Sequence, residues 1–438
     1  MAGARADLTR LVLVSLLLGS NTPAQADGAF PDEFSLHFPP DVASRILIGA
    51  NFGLLVSEDD GLSWRYTCEP WIVAGSNAAL AANSVSFYQV TRDGAYLATS
   101  VNLTRSSDVA CTWPISGGAV LGQRVADIFP DPNDASFVLA IVVLLNPTTI
   151  ASYLVASHDG GKTFEPEHLY ETPDLLTGVE IARAKAGVVY ATTLSLSGGT
   201  SHFLVSPDRG ATWTATDLSL APATEPRILT IDPEDEKKVY LRVVDAVSDS
   251  IMMTEDSGQS FHTILPPIGT QLSAFLRAGD GTLYAGTRTG KLYVLPPGAQ
   301  DFVPRDAPHL RCLGQRPGST RIYACTDMVL DGYSLASSDD DGRTFQRVMS
   351  FRDLLGPMTC APVQTNCAAH WQRIQGVLGI GDAGTDGGST GTPDAGGGGP
   401  PPAKSGGGCS SAGTTVLPLV AVLALLYLGL LARGPRTR

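Results

Sequence analysis

One eight-residue pattern returns along this chain at nearly constant spacing: a small hydroxyl residue, any residue, Asp, any residue, Gly, any residue, Ser or Thr, then Trp or Phe. Clear copies are SEDDGLSW (57–64), SHDGGKTF (157–164), SPDRGATW (206–213), TEDSGQSF (254–261) and SDDDGRTF (338–345). A weaker copy, SSDVACTW (106–113), has Ala110 in place of the Gly. The starts at 57, 106, 157, 206 and 254 lie 48 to 51 residues apart. The longer gap from 254 to 338 leaves room for one more copy, and LPPGAQDF (295–302) fits there with only the final aromatic kept. A period of this length, carried through seven units, is the mark of a repeat architecture. The pattern also has a local logic. The hydroxyl and the Asp can bind backbone N–H groups inside a tight turn, the Gly accepts a positive φ, and the aromatic begins the next strand and buries a large apolar surface. Ala110 should therefore sit less comfortably than Gly61 or Gly210.

Between the copies come short runs rich in Val, Ile, Tyr and Thr, separated by turn residues, such as RILTID, KVYLRVV and SIMMTE before the copy at 254. Four such strands per repeat describe a propeller blade. A parallel β-helix would repeat over a much shorter period, and two smaller all-β domains would break the run. The expectation is an all-β chain: a seven-bladed β-propeller with four-stranded blades over 27–379, the pattern lying at the turn between third and fourth strands. The pattern resembles the Asp box, or bacterial neuraminidase repeat, over residues 34 to 350. That resemblance makes Asp59, Asp108, Asp159, Asp208, Asp256 and Asp340 structural residues at the blade periphery, away from the central funnel.

The two ends speak of export. Residues 1–26 read as a signal peptide: Arg5 and Arg10, the apolar run LVLVSLLLG, and Ala24-Gln25-Ala26 as cleavage site. Residues 380–408 form a Gly/Pro-rich stretch without the apolar residues a core needs, hence a flexible linker. Residues 409–438 hold Cys409-Ser410-Ser411, an uncharged Thr414–Ala432 long enough to be a transmembrane helix, and Arg433, Arg436 and Arg438. This order of parts is similar to the MYXO-CTERM sorting signal of myxobacterial surface proteins. The resemblance implies processing and anchoring at Cys409 by a sorting protease and delivery to the cell surface or outer membrane. The alternative is a permanent membrane anchor with an incidental cysteine.

A net charge of −13 argues against a nucleic-acid partner. The six other cysteines read as disulfide candidates in an exported chain. Cys312 and Cys325 flank a turn in the last blade, Cys360 and Cys367 bracket a short segment after it, and Cys68 is left with Cys111. No C-x-x-C or histidine cluster suggests a metal, and no cofactor is expected.

Sialidase is the obvious enzyme to consider, and its F/Y-R-I-P motif should precede the first copy. Arg45-Ile46-Leu47 has neither the aromatic before nor the Pro after, so no catalytic residue is assigned. Arg124, Arg227 and Arg311 fall near the starts of the expected innermost strands, where an arginine cluster would bind an anion; the alternative is ion pairing between blades. Trp71, in the long segment 69–83 on the face opposite the motifs, is a candidate to stack on a sugar or peptide, or else packs onto its own blade. The function expected is recognition of a surface protein or polysaccharide without catalysis. A glycan-active hydrolase or lyase of the envelope is the alternative, and a structural envelope protein the third reading.

Overall fold

Each repeat folds into one antiparallel sheet because its β-branched and aromatic runs are cut at short intervals by Gly, Pro and Asp turns. The structure is a computed structural model, and it describes residues 33–74, 87–99, 102–146, 149–221 and 224–380. Seven blades follow one another in chain order. Their innermost strands are Glu33–His37, Phe87–Val90, Arg124–Pro130, Leu175–Ile181, Glu225–Ile231, Leu272–Arg277 and Leu310–Gln315. Six blades are four-stranded sheets whose strands follow one another in chain order, except that in blade three the short Thr163–Phe164 strand leaves the sheet to pair with Gly117–Gly118. In blade two the outer strand is reduced to a bridge between Thr104 and Ile115 beside a three-stranded sheet. Every blade is made from one stretch of chain, and packing brings the inner strands of the first and last blades together: Leu36 and Phe38 of blade one lie over Gly314 of blade seven, and Phe38 meets the Tyr323 ring at 5.3 Å.

The eight-residue motif sits between the third and fourth strands of its blade. In blade one the Ser57 hydroxyl accepts the Gly61 N–H (2.8 Å) and donates to Asp59 (2.9 Å). Asp59 accepts both the N–H (2.9 Å) and the hydroxyl (2.6 Å) of Ser63, and the Trp64 indole N–H donates to the Gly61 carbonyl. Residues Asp60 and Gly61 both lie in the left-handed region, with φ of 58° and 91°. The copy without glycine keeps the same turn. Ala110 donates its N–H to Ser106 at φ 62°, next to Val109 at φ 55°, so the alanine bears the left-handed conformation rather than changing the turn.

The motif glycine is also a joint. A Cβ on Gly258 of blade five would lie 2.4 Å from the buried Phe203 ring of blade four, and one on Gly61 would lie 3.0 Å from Val348 of blade seven. Each motif thus seats its blade on the one before it, and the first motif seats blade one on the last.

After blade seven the chain returns to blade one. Residues 355–358 add to its outer edge: Leu355 N–H donates to the Trp64 carbonyl (3.0 Å), Tyr66 N–H to Gly356 (3.1 Å) and Met358 N–H to Tyr66 (2.9 Å). The helix Ala361–Leu378 follows and buries Val363, Cys367, Ile374 and Leu378. Two disulfides fasten it, Cys68–Cys367 and Cys111–Cys360, while Cys312–Cys325 joins two strands within blade seven. The last pairing agrees with the sequence expectation. The pairings Cys360–Cys367 and Cys68–Cys111 do not occur. Cys360 caps the helix and Cys367 lies seven residues along it, roughly 10 Å in axial rise, beyond the Cα spacing a disulfide tolerates. Three disulfides point to an oxidising, extracellular-type compartment.

The expected signal peptide, the linker, Cys409 and Thr414–Ala432 lie outside the described residues. Among the described residues no helix is long and apolar enough to cross a membrane.

Candidate functional site

The inner strands all run in one direction, so the turns that follow them gather at one mouth of the central channel. In blade three, Pro130 pairs with Val138, and Val138 pairs with Ser157, the first residue of the motif. This mouth is therefore on the motif side of the ring, opposite the face where the sequence placed a ligand.

Two adjoining cavities open there, of about 630 and 330 Å³. The larger is lined by the ends of the inner strands of blades one, two, three and seven, including His37, Arg92 and Gln315. The smaller reaches blades four, five and six through Glu180, Ile231 and Arg277. Phe129, Pro132 and Arg183 belong to both. The rim owes its shape to turns with Asp before Pro, which fix φ and let the Asp bind the chain beyond. Asp131 is fully buried, accepts the Asn133 N–H (2.8 Å) and is held by Arg209 of the blade-four motif (3.3 Å), which also reaches Asp134 (3.1 Å). Asp232 is held in the same way by Arg277 of blade six (3.1 Å).

Two further carboxyl groups face one another electrostatically across the inner strands. Asp127 of blade three accepts the Val179 N–H of blade four (3.1 Å) and the Ile128 N–H (2.9 Å). Glu180 of blade four accepts the Ile231 N–H of blade five (3.2 Å). Burial pushes Asp127 up to about 6, against the pull of its N–H partners and of Arg227. Burial, and then the neighbouring Asp127 charge, push Glu180 up to about 8, so Glu180 is protonated at neutral pH. Each group bridges one blade to the next.

The arginines singled out in the sequence lie at the other end of the inner strands. Arg124 opens its strand and is exposed. Arg227 is paired with Glu225 (2.7 Å) and Arg311 with Asp327 (2.5 Å). None of the three lines either cavity. Trp71 stands on a short helix, Glu69–Ala74, rather than in a loop, and its indole N–H donates to the Cys111 carbonyl (3.1 Å) while the ring packs on the core of blade one. The six motif carboxylates are engaged within their own turns. Sequence reasoning missed Arg92, Arg183, Asp127 and Glu180. The signal available was position: Arg92, Arg183 and Arg316 each stand two or fewer residues past an inner strand.

No family model matches this chain, and no curated protein sequence is significantly similar to it. Among solved structures, it is similar to prolyl oligopeptidase B from Galerina marginata, with TM-score 0.51 and 11% identity over 73% of this chain and 51% of that one. The chain thus spans about half of that protein, and the likeness is one of fold alone. Other similar structures are YCF48 from Cyanidioschyzon merolae (TM-score 0.47, 12% identity, 67% of this chain and 92% of that one) and the Hadza microbial sialidase Hz136 (TM-score 0.42, 15% identity, 65% and 71%).

Proposed function

We propose that this protein is a recognition module of the cell surface that binds its ligand at the motif-side mouth of the channel and performs no chemistry on it. On this reading the turns are Asp boxes, the propeller occupies 27–379, and the tail from Cys409 is a processed sorting signal. One observation carries the reading. The mouth holds a cavity of about 630 Å³, the size of an ordinary ligand site, and the carboxylates around it are committed to holding neighbouring blades together. A glycoside hydrolase needs two carboxyl groups free to act on substrate.

The second reading, a glycan-active enzyme, is favoured by Glu180, a carboxyl group that lines the smaller cavity and holds its proton at neutral pH, as a general acid must. The full chain in detergent, incubated with bacterial-envelope and sialylated polysaccharides, separates the two. Retention of a polysaccharide or peptide without new reducing ends supports recognition. Release of reducing ends that Glu180→Gln abolishes establishes the enzyme.

A further inference from the structure

The larger cavity inverts the charge of the protein around it. The chain carries a net charge of −13, yet the charged residues Arg92, Asp131 and Arg183 leave this cavity positive. Asp131 is fully buried and engaged by Arg209, which does not line the cavity, so the two arginines outnumber the one carboxylate in the lining. Arg92 and Arg183 are exposed, and neither forms an ion pair with a carboxylate among the described residues. Arg92 is steadied by one hydrogen bond to the Asn133 carbonyl (3.0 Å), which leaves most of its donors unused. The two arginines follow the inner strands of blades two and four, and so stand on either side of the Phe129–Pro132 turn of blade three. His37, also in the lining, has a buried Nε2 with no hydrogen-bond partner.

We infer that Arg92 and Arg183 clamp the carboxylate of an acidic residue in an otherwise apolar peptide, which lies against Phe129 and the prolines of the mouth. This rests on the mouth being the recognition site. Guanidinium forks match carboxylates in a bidentate geometry that a desolvating apolar wall strengthens. The wall also decides the class of ligand. Its apolar members include Leu36, Phe38, Val90 and Phe129, and among the described residues no Trp or Tyr lines the cavity. Rings with a polar handle suit sugars, whereas aliphatic groups and prolines suit a peptide.

The test uses the full chain in detergent and a library of capped hexapeptides bearing a single Glu among Leu, Val, Phe and Pro. The same library with Gln and an oligogalacturonate serve as comparators. Fluorescence anisotropy should show Glu peptides binding at least ~10-fold more tightly than their Gln counterparts, as a charge-assisted pair implies. The preference should shrink as salt is raised. Arg183→Gln should erase the preference for Glu over Gln peptides without lowering the melting temperature, and Arg92→Gln should repeat the result. Equal binding of Glu and Gln peptides would overturn the clamp and leave the mouth as a recognition site. Arginine-dependent binding of oligogalacturonate with no peptide binding would overturn the choice of peptide. Binding of none of the probes would remove both the clamp and the recognition reading it stands on.

Discussion

Cys367, on the helix that follows the last blade, is bonded to Cys68, in the outer strand of the first, across 299 residues of sequence. With Cys111–Cys360 beside it, this bond ties blades one and two to the end of the propeller. Among the described residues no strand is exchanged between the sheets of the first and last blades, so the covalent clasp supplements a seam held by packing, by the hydrogen bonds of residues 355–358 and by the Arg316–Asp60 ion pair. Replacing Cys68 and Cys367 by Ala should cost roughly 2–4 kcal/mol, and so should replacing Cys111 and Cys360. Removing the second bond should cost more than removing the first, because the loop it then closes is much longer. Urea titration of the two double variants and the quadruple variant checks this; simple additivity would contradict it.

Ala110 holds a conformation that glycine holds in the other copies. Ala110→Gly should raise stability by up to about 1 kcal/mol, the left-handed strain relieved less the extra freedom given to the unfolded chain. A lowered melting temperature would mean that the buried methyl group matters more than the backbone.

Gly258 and Gly298 separate two costs that usually arrive together. Both have positive φ, 86° and 77°, but only Gly258 faces a neighbour, the Phe203 ring. Gly298→Ala should cost about 1–2 kcal/mol for conformation alone. Gly258→Ala should add ~1–3 kcal/mol of overpacking, because Phe203 is itself confined by Tyr190 and Phe261. Equal losses in thermal melts would show that the blade interface yields.

Two sets of carboxyl groups respond to pH with opposite sign. Hydrogen bonds from Ser260 and Thr254 hold Asp256 down to about 2, and those from Thr344 and Ser338 do the same for Asp340. Their stabilisation is present above the ordinary Asp value of 3.8 and is lost as pH falls toward 2. Glu180 is raised from 4.5 to about 8. Its contribution is full below 4.5 and is lost as pH rises through 8. The stability difference between wild type and Glu180→Gln should therefore move against the wild type from pH 5 to pH 8.5. The difference for Asp256→Asn should change only below about pH 4. A Glu180→Gln profile parallel to the wild type would mean that the carboxyl group ionises freely in the channel.

The fold was legible because the information that specifies it is local. Eight residues contain both partners of every bond in the motif turn, so Ser57, Asp59 and Ser63 announce the turn, and the spacing of turns announces the blades. Cys312–Cys325 was legible for the same reason, since two paired strands with one turn between them bring the residues together. Cys68 and Cys111 were not, because their partners lie beyond the last blade on a helix that the short Cys360–Cys367 interval resembles a loop in concealing. The mouth was harder still. Arg92 and Arg183 line one cavity only because blades two and four stand on either side of blade three. Their neighbours carry no motif, and the inner-strand arginines that drew attention, Arg227 and Arg311, are neutralised within their own blades.

The clasp also sets a problem of order. Cys68 and Cys111 are the first two cysteines of the propeller to be made, and their proper partners are among the last. A chain that oxidised its thiols as they emerged would join Cys68 to Cys111, a pairing absent from the finished ring. Maturation therefore requires that these early thiols be kept reduced, or that a premature bond be undone by thiol–disulfide exchange. A host that makes this protein in quantity must therefore either delay oxidation of these thiols or supply an isomerase as well as an oxidant.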